Sequence, residues 1–150
     1  MYLISACLAG INCKYNGGNN IVEEIINLVE KGKAVLVCPE QLGGFPTPRL
    51  ASEIKGDRVI NVNGEDVTCQ FEKGAQETLK IAKLMKIKTA ILKSKSPSCG
   101  PGKIYDGTFT GVLTDGYGIT AKLLKENGIE VIDEMEFVRR LSDIESPGFM

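Results

Sequence analysis

Short, mostly apolar runs alternate along this chain with longer stretches in which apolar positions recur at helical spacing. Uninterrupted apolar runs of four to five residues are typical of parallel strands that are buried on both faces. The runs that predict strands are residues 2–6, 34–38, 89–93 and 130–133. The amphipathic stretches that predict helices are residues 21–32, 68–86, 118–127 and 134–141.

This alternation predicts an α/β fold, with a three-layer, Rossmann-like open sheet that is mostly parallel. At 150 residues the chain has the usual size of one domain, and we expect residues 1–150 to form one. Two long segments rich in Gly and Pro interrupt the alternation, residues 39–66 and 93–111, and we expect both to be functional loops. The first contains one candidate short strand, RVINV. Residues 146–150 have the composition of a loose tail.

The charge balance of the chain gives no reason to expect a nucleic-acid polymer as partner. Lys and Arg total 18 and Asp and Glu total 19, whereas nucleic-acid-binding domains carry a basic surplus. We therefore expect a small-molecule ligand. No segment is apolar enough to span a bilayer, and the first residues lack the pattern of a secretory signal. We expect no membrane association and a cytoplasmic location.

Three cysteines, Cys7, Cys38 and Cys99, each follow one of the apolar runs directly or within a short loop. Because the carboxyl ends of parallel strands meet at one edge of a sheet, we expect these three thiols to converge on one point there. Thiols of a cytoplasmic protein stay reduced, so this pattern favours a metal or cluster site over disulfides. The chain has no histidine, which excludes His-containing zinc sites and Ser-His or Cys-His catalytic pairs.

Three thiolates without histidine suit either a zinc site that is open at one position or a [4Fe–4S] cluster with one iron free of protein. A structural zinc site has four protein ligands, so Cys13 would have to join the other three. The spacing of Cys13 is equally compatible with a nearby thiol, a ligand or a surface residue. Cys69 begins the long helix, and we expect it to be a structural residue.

The loop after residues 34–38 carries charged candidates for chemistry. Glu40 lies two residues from Cys38 and is a candidate proton carrier if it is partly desolvated, or else a solvated loop residue. Arg49 has the fork of donors that clamps a planar or anionic group, and its alternative is an ion pair with Glu53.

In the loop that contains Cys99, two serines flank the thiol. Ser96 and Ser98 are candidates for chemistry and for substrate contact, and their alternative is an ordinary role in forming the turn.

Four ordered motifs, SACLAG, CPEQLGGFPTPR, KSKSPSCG and IYDGTF, together resemble the thiouracil desulfidase family. The resemblance implies a Rossmann-like domain with an oxygen-sensitive [4Fe–4S] cluster that removes sulfur from a thiolated uracil without redox change and releases hydrogen sulfide. The substrate would be a small thiolated base.

The resemblance also implies roles for individual residues of this chain. The three cluster ligands fall on Cys7, Cys38 and Cys99, the family's acid/base glutamate falls on Glu40, and its catalytic serine falls on Ser96. We expect Arg49 and Ser98 to contact the substrate.

The main alternative is a non-catalytic module that uses the same cysteines for structural zinc or for cluster storage. A thiol–disulfide or redox-sensing protein is a weaker alternative because the chain contains no Cys-x-x-Cys motif.

Overall fold

Four parallel strands lie at the centre of the computed structural model, which describes residues 1–145. The predicted tail, residues 146–150, lies outside the described residues. Residues 1–145 contain eight strands in all, and these are β1 (Tyr2–Ser5), β2 (Ala34–Val37), β3 (Ser52–Lys55), β4 (Arg58–Asn61), β5 (Thr89–Leu92), β6 (Pro101–Tyr105), β7 (Leu113–Tyr117) and β8 (Glu130–Asp133). The helices are α1 (Glu23–Glu30), α2 (Pro39–Leu42), α3 (Thr68–Leu84), α4 (Ile119–Glu126) and α5 (Glu134–Glu145).

The central sheet has the strand order β2–β1–β5–β8, and all three of its strand pairs are parallel. Ile4 on β1 is aligned with Leu36 on one side and Ile91 on the other. The chain moves outward from β1 in both directions, so the order reverses between β1 and β5. Open α/β sheets bind ligands beyond the carboxyl ends of the strands at such a reversal.

Helices cover both faces of this sheet, because successive side chains of each buried strand point to opposite faces. Leu3 and Leu92 belong to the core that α3 and α4 cover, together with Leu79 and Leu124. The other face is covered by α1 and α5, and its core includes Ile4, Ile25, Ile91, Ile132 and Phe137. The predicted three-layer, Rossmann-like architecture is confirmed. No described helix has both the length and the hydropathy needed to cross a membrane.

The two predicted loops contain more regular structure than the sequence indicated. The first holds helix α2 and the antiparallel hairpin β3–β4, of which only the second strand was expected. The second holds strand β6, which forms an antiparallel hairpin with β7 just beyond the predicted loop. Strands of four or five residues with half-exposed, glycine-containing patterns give little periodicity, although the Gly56-Asp57 pair between β3 and β4 is a hairpin signal.

Helix α2 packs tightly against α3 because two glycines lie at the contact. A Cβ on Gly74 would lie 2.0 Å from the carbonyl oxygen of Pro39, and a Cβ on Gly43 would lie 2.2 Å from that of Gln70. Neither position admits a side chain without a shift of backbone. Helix α3 therefore fixes the segment that begins at Cys38.

Candidate active site

A cavity of about 470 Å³ opens beyond the carboxyl ends of β1, β2 and β5. Four of the five cysteines line it, and they are Cys7, Cys13, Cys38 and Cys99. The sequence-predicted residues Glu40, Arg49, Ser96 and Ser98 line the same cavity. The structure therefore brings together all seven residues that the sequence singled out, and adds Cys13.

The three strand-end cysteines are each held by local backbone structure. Cys7 lies in a 3₁₀ turn, Ala6–Ala9, and its carbonyl oxygen accepts hydrogen bonds from the N–H groups of Gly10 and Asn20. Cys38 immediately precedes α2, and its carbonyl oxygen accepts the N–H of Leu42 at 3.0 Å. Cys99 lies in a tight turn that is closed by a 2.8 Å hydrogen bond from Gly100 N–H to Ser96 O.

Cys13 is buried beside Cys38. Sγ of Cys38 lies 3.6 Å from the carbonyl oxygen of Cys13. A hydrogen bond between the two side chains raises the pKa of Cys13 and lowers that of Cys38. Of the alternatives open for Cys13, the surface position is excluded, because only 2% of the residue is exposed.

The pKa values of the other two thiols are shifted mainly by burial. Desolvation raises the pKa of Cys99 to about 12 and also raises the pKa of Cys7. Without a metal, both would be protonated at neutral pH, and a metal centre that binds them must displace those protons.

Glu40 and Arg49 form an ion pair in the cavity wall, with Nε of Arg49 3.0 Å from Oε1 of Glu40. The side chains are 15% and 6% exposed, respectively. The alternative pair between Arg49 and Glu53 is wrong, because Glu53 binds a different loop. Removing one partner of a buried ion pair leaves an uncompensated charge and costs about 3–5 kcal/mol.

The guanidinium of Arg49 also ties three segments of the chain together. Nη1 donates to the carbonyl oxygen of Pro46 at 3.2 Å and to Oγ1 of Thr47 at 2.9 Å. Nη2 donates to the carbonyl oxygen of Cys13 at 2.8 Å. Four of the five guanidinium N–H donors thus have protein partners.

A chain of hydroxyl groups leads from the carboxylate of Glu40 into the cysteine loop. Ser98 Oγ donates to Glu40 Oε2 at 3.1 Å and lies 3.0 Å from Ser96 Oγ. Ser96 Oγ accepts the backbone N–H groups of Ser98 and Cys99, at 3.2 and 3.1 Å. Its own proton is therefore directed to Ser98, and the two hydroxyl groups donate in one direction, toward Glu40.

The N-terminus of α4 fixes the loop that carries Ser96, Ser98 and Cys99 through backbone hydrogen bonds. Backbone N–H groups of Ile119 and Thr120 donate to the carbonyl oxygens of Pro97 and Ser98, each at 2.9 Å. These are donors that a helix leaves without an intrahelical partner at its first turn. A Cβ on Gly118 would lie 2.5 Å from the carbonyl carbon of Ser98, so no larger residue fits there without displacing the loop.

A second ion pair, which no sequence pattern indicated, lies at the cavity. Lys93 follows β5 and lines the cavity, and its Nζ lies 3.3 Å from Oε2 of Glu134, the first residue of α5. Ser94 donates to the same carboxylate from its backbone N–H at 2.8 Å and from its hydroxyl at 2.9 Å. Glu134 directly follows β8, so the rule that located the three cysteines also applies to it.

The hairpins supply the remaining wall of the cavity, through Glu53 on β3 and through Tyr105 and Phe109 of the second hairpin. Phe109 has a left-handed backbone, with φ of 57°, which costs a residue with a Cβ roughly 1–2 kcal/mol. The sequence indicated Glu53 only as a partner for Arg49, and no pattern pointed to either aromatic residue.

Cys69 is exposed on α3 and does not line the cavity. The sequence indicated a structural role for Cys69, but the buried residues of this part of α3 are its neighbours Thr68 and Phe71. Position 69 falls on the solvent side of the helix.

The donor set of the cavity is soft and contains no imidazole, since four thiols line it and the chain has no histidine. Within residues 1–145, no three Cys, Asp or Glu side chains are close enough together to hold a single metal ion. In a cluster, each thiolate binds a different iron, so its ligands need not meet at one ion. The thiols present fit an iron–sulfur cluster.

Comparisons with known proteins give one consistent family. A model of the 2-thiouracil desulfurase family matches residues 2–136, which include every residue lining the cavity. The chain is 47% identical over 146 residues to the uncharacterised protein YbbK of Bacillus subtilis strain 168, with 91% of this chain and 97% of that protein covered. The solved structure of the [4Fe–4S]-dependent thiouracil desulfidase TudS matches with a TM-score of 0.87 at 40% identity, covering 94% of this chain and 97% of that one.

Proposed function

Because this chain belongs to the 2-thiouracil desulfurase family, we propose that it uses a [4Fe–4S] cluster to remove sulfur from a thiolated nucleobase such as thiouracil, releasing hydrogen sulfide. One observation carries the proposal: a single cavity combines soft thiol donors with the hydrogen-bonded series Ser96, Ser98 and Glu40. A cavity of about 470 Å³ is in the range of small-molecule sites.

We assign the cluster to Cys7, Cys38 and Cys99. When bound, it supplies an iron without a protein ligand, a Lewis acid for the thiocarbonyl sulfur. Cys13 contributes the fourth thiol of the cavity and a carbonyl oxygen that Arg49 holds. The cytoplasm remains the proposed compartment, because a cluster held by thiolates in an open cavity requires reducing conditions.

The reaction we propose is hydrolysis, so no electrons are transferred. Water adds to the thiocarbonyl carbon, a C–O bond forms, the C–S bond breaks, and the two protons of water leave with the sulfur as hydrogen sulfide. Proton transfer by a positioned carboxylate contributes typically 10²- to 10⁴-fold to such a step. We assign this role to Glu40, which accepts a proton from water and returns it to the departing sulfur.

Ser96 and Ser98 extend the reach of Glu40 along the loop that carries Cys99. Each hydroxyl both accepts and donates a proton, so the series connects the carboxylate to a position two hydrogen bonds away. Ser98 Oγ also retains acceptor capacity for a substrate group. We assign Ser96 as the catalytic serine and Ser98 as the link and substrate contact.

We assign Arg49 as a positioning residue more than a substrate clamp, since four of its five donors already have protein partners. It orients Oε1 of Glu40 and leaves Oε2 to Ser98. The remaining N–H is the one available for the substrate contact predicted from the sequence.

A zinc module is the competing proposal; Cys13 lies beside Cys38, but in the part of the chain that the structure describes, no three Cys, Asp or Glu side chains are arranged around a single ion, which disfavours it. Such a site requires all four cavity cysteines on one ion. It predicts zinc, no visible absorption and no release of sulfide.

Anaerobic purification separates the two proposals. The preparation is analysed for iron, zinc, inorganic sulfide and visible absorption, and is then incubated with 2-thiouracil while hydrogen sulfide and uracil are quantified. Iron, sulfide and the two products in equal amounts support the desulfidase. Zinc in place of iron, or iron without turnover of any thiolated base, overturns it.

A further inference from the structure

Glu53 is a buried carboxylate in the cavity wall that the series Glu40, Ser98 and Ser96 does not use. Only 9% of the residue is exposed. Its Oε1 accepts two backbone N–H groups, from Gly107 at 3.0 Å and from Phe109 at 3.1 Å. Its Oε2 accepts no hydrogen bond from residues 1–145 and is not among the atoms that the fold encloses completely. One oxygen of this carboxylate is thus occupied and the other is free.

The occupied oxygen fixes the loop between β6 and β7, residues 106–112, which we call the recognition loop. A Cβ on Gly107 would lie 2.8 Å from the carbonyl oxygen of Ile54, so the loop is pressed against β3. Two residues further on, the left-handed backbone of Phe109 belongs to a residue that lines the cavity. Strained backbone of this kind persists where surrounding structure imposes it, often at ligand sites.

Holding the recognition loop requires only one acceptor oxygen, and the amide oxygen of a glutamine would serve as well. The free oxygen is open to solvent, so its acceptor capacity is available to water or to a donor group of a ligand. The cavity is where such a donor would come from, because Glu53 lines it.

We propose that Oε2 of Glu53 accepts a ring N–H that lies next to the thiocarbonyl carbon of the substrate, which makes Glu53 a specificity-determining residue. The proposal rests on the desulfidase function proposed above. A thiolated pyrimidine carries such an N–H, whereas a ring that is alkylated at that nitrogen carries none. Phe109 supplies an apolar surface beside the same group, on which a planar base packs.

The test uses 2-thiouracil and its 1-methyl and 3-methyl derivatives, each of which lacks one of the two N–H groups that flank the thiocarbonyl carbon. Binding to the anaerobically prepared wild-type enzyme is measured by calorimetry, and sulfide release is measured separately. We expect one methyl isomer to bind on the order of 10- to 100-fold more weakly than 2-thiouracil, the range for a hydrogen bond to a charged group. Equal binding of all three compounds by the wild type overturns the proposal without any variant.

Glu53→Gln then identifies the residue responsible. Glutamine keeps an oxygen for the recognition loop and replaces the free oxygen by an N–H donor, so we expect weaker binding and a higher KM for 2-thiouracil while kcat changes little. The preference for 2-thiouracil over the sensitive methyl isomer disappears. Glu72→Gln, on the exposed side of α3, is the matched control and keeps that preference.

A Glu53→Gln enzyme that discriminates among the three compounds like the wild type contradicts the proposal. Failure of the desulfidase function itself has a different signature, since sulfide release would then be absent from the wild type with all three compounds.

Discussion

Ser98 Oγ lies 3.1 Å from Oε2 of Glu40, although 58 residues separate the two in the chain. The contact joins the segment after β2 to the segment after β5, on either side of β1 in the sheet. Arg49 occupies the other oxygen of the same carboxylate. Both carboxylate oxygens of Glu40 are thereby held in place. Glu40→Gln, which keeps the size of the side chain, is therefore the substitution that tests its role.

Glu40→Gln should retain the cluster and its visible spectrum while desulfuration falls on the order of 10²- to 10⁴-fold, the usual effect of losing a general acid or base. Glutamine keeps the size of the side chain and removes the proton transfer. Iron content, absorption and sulfide release from 2-thiouracil are measured on the same anaerobic preparation. Loss of iron from this variant would instead make Glu40 a ligand of the cluster, and unchanged turnover would remove it from the chemistry.

Ser98→Ala should lower turnover through Glu40 and not independently of it. Alanine at this buried position breaks the hydrogen-bonded series and leaves the backbone bonds from α4 to the loop intact. In a double-mutant cycle, Ser98→Ala should therefore lower turnover much less in the Glu40→Gln background than in the wild type. Additive losses would mean that Ser98 acts without Glu40, as a substrate contact alone.

The iron content of Cys→Ser variants should distinguish the cysteines that bind the cluster from those that do not. Cys99→Ser should lose most of the iron of the wild type, whereas Cys69→Ser should keep it, because Cys69 is exposed outside the cavity. Cys13→Ser is the informative third variant, and we expect it to retain most of the iron. If Cys13→Ser loses metal as completely as Cys99→Ser, the four-cysteine zinc module becomes the better assignment.

Asp66 should contribute pH-dependent stability to the start of α3. Arg58, 2.7 Å away, and then Thr68 lower the pKa of Asp66 to about 2. A carboxyl group whose folded pKa lies below its unfolded value, about 3.9, stabilises the fold above the unfolded value, and this contribution is lost as pH falls toward 2. Asp66→Asn should be less stable than the wild type at pH 6, and the difference should shrink between about pH 4 and pH 2.

Urea unfolding at a series of pH values measures this difference. Asp57→Asn, next to Arg58 and exposed, is the matched control and should follow the pH dependence of the wild type. A difference between wild type and Asp66→Asn that stays constant from pH 6 to pH 2 would contradict the assignment of the stabilisation to the charge of Asp66.

The strands of the central sheet could be predicted from the sequence because burial on both faces leaves a continuous apolar run, as in residues 89–93. The convergence of Cys7, Cys38 and Cys99 on one cavity followed from the same strands, since parallel strands share one carboxyl edge. Pairings that span many residues leave no local pattern. The bonds from Gly107 and Phe109 to Glu53 cross more than fifty positions. Arg49 binds Glu40, whereas the sequence suggested Glu53 as its ion-pair partner.

The hairpins β3–β4 and β6–β7 form two-stranded sheets separate from the four-stranded sheet. The cysteines and the hydroxyl series are carried by segments that leave the central sheet, whereas Glu53 and Phe109 are carried by the hairpins. Strand β6 begins two residues after Cys99, so we expect changes in β3–β4 and in the recognition loop to alter what the cavity accepts without moving the thiols. Divergence within this family toward new thiolated compounds should accordingly accumulate in residues 50–62 and 106–112, while the segments around the cysteines stay constant.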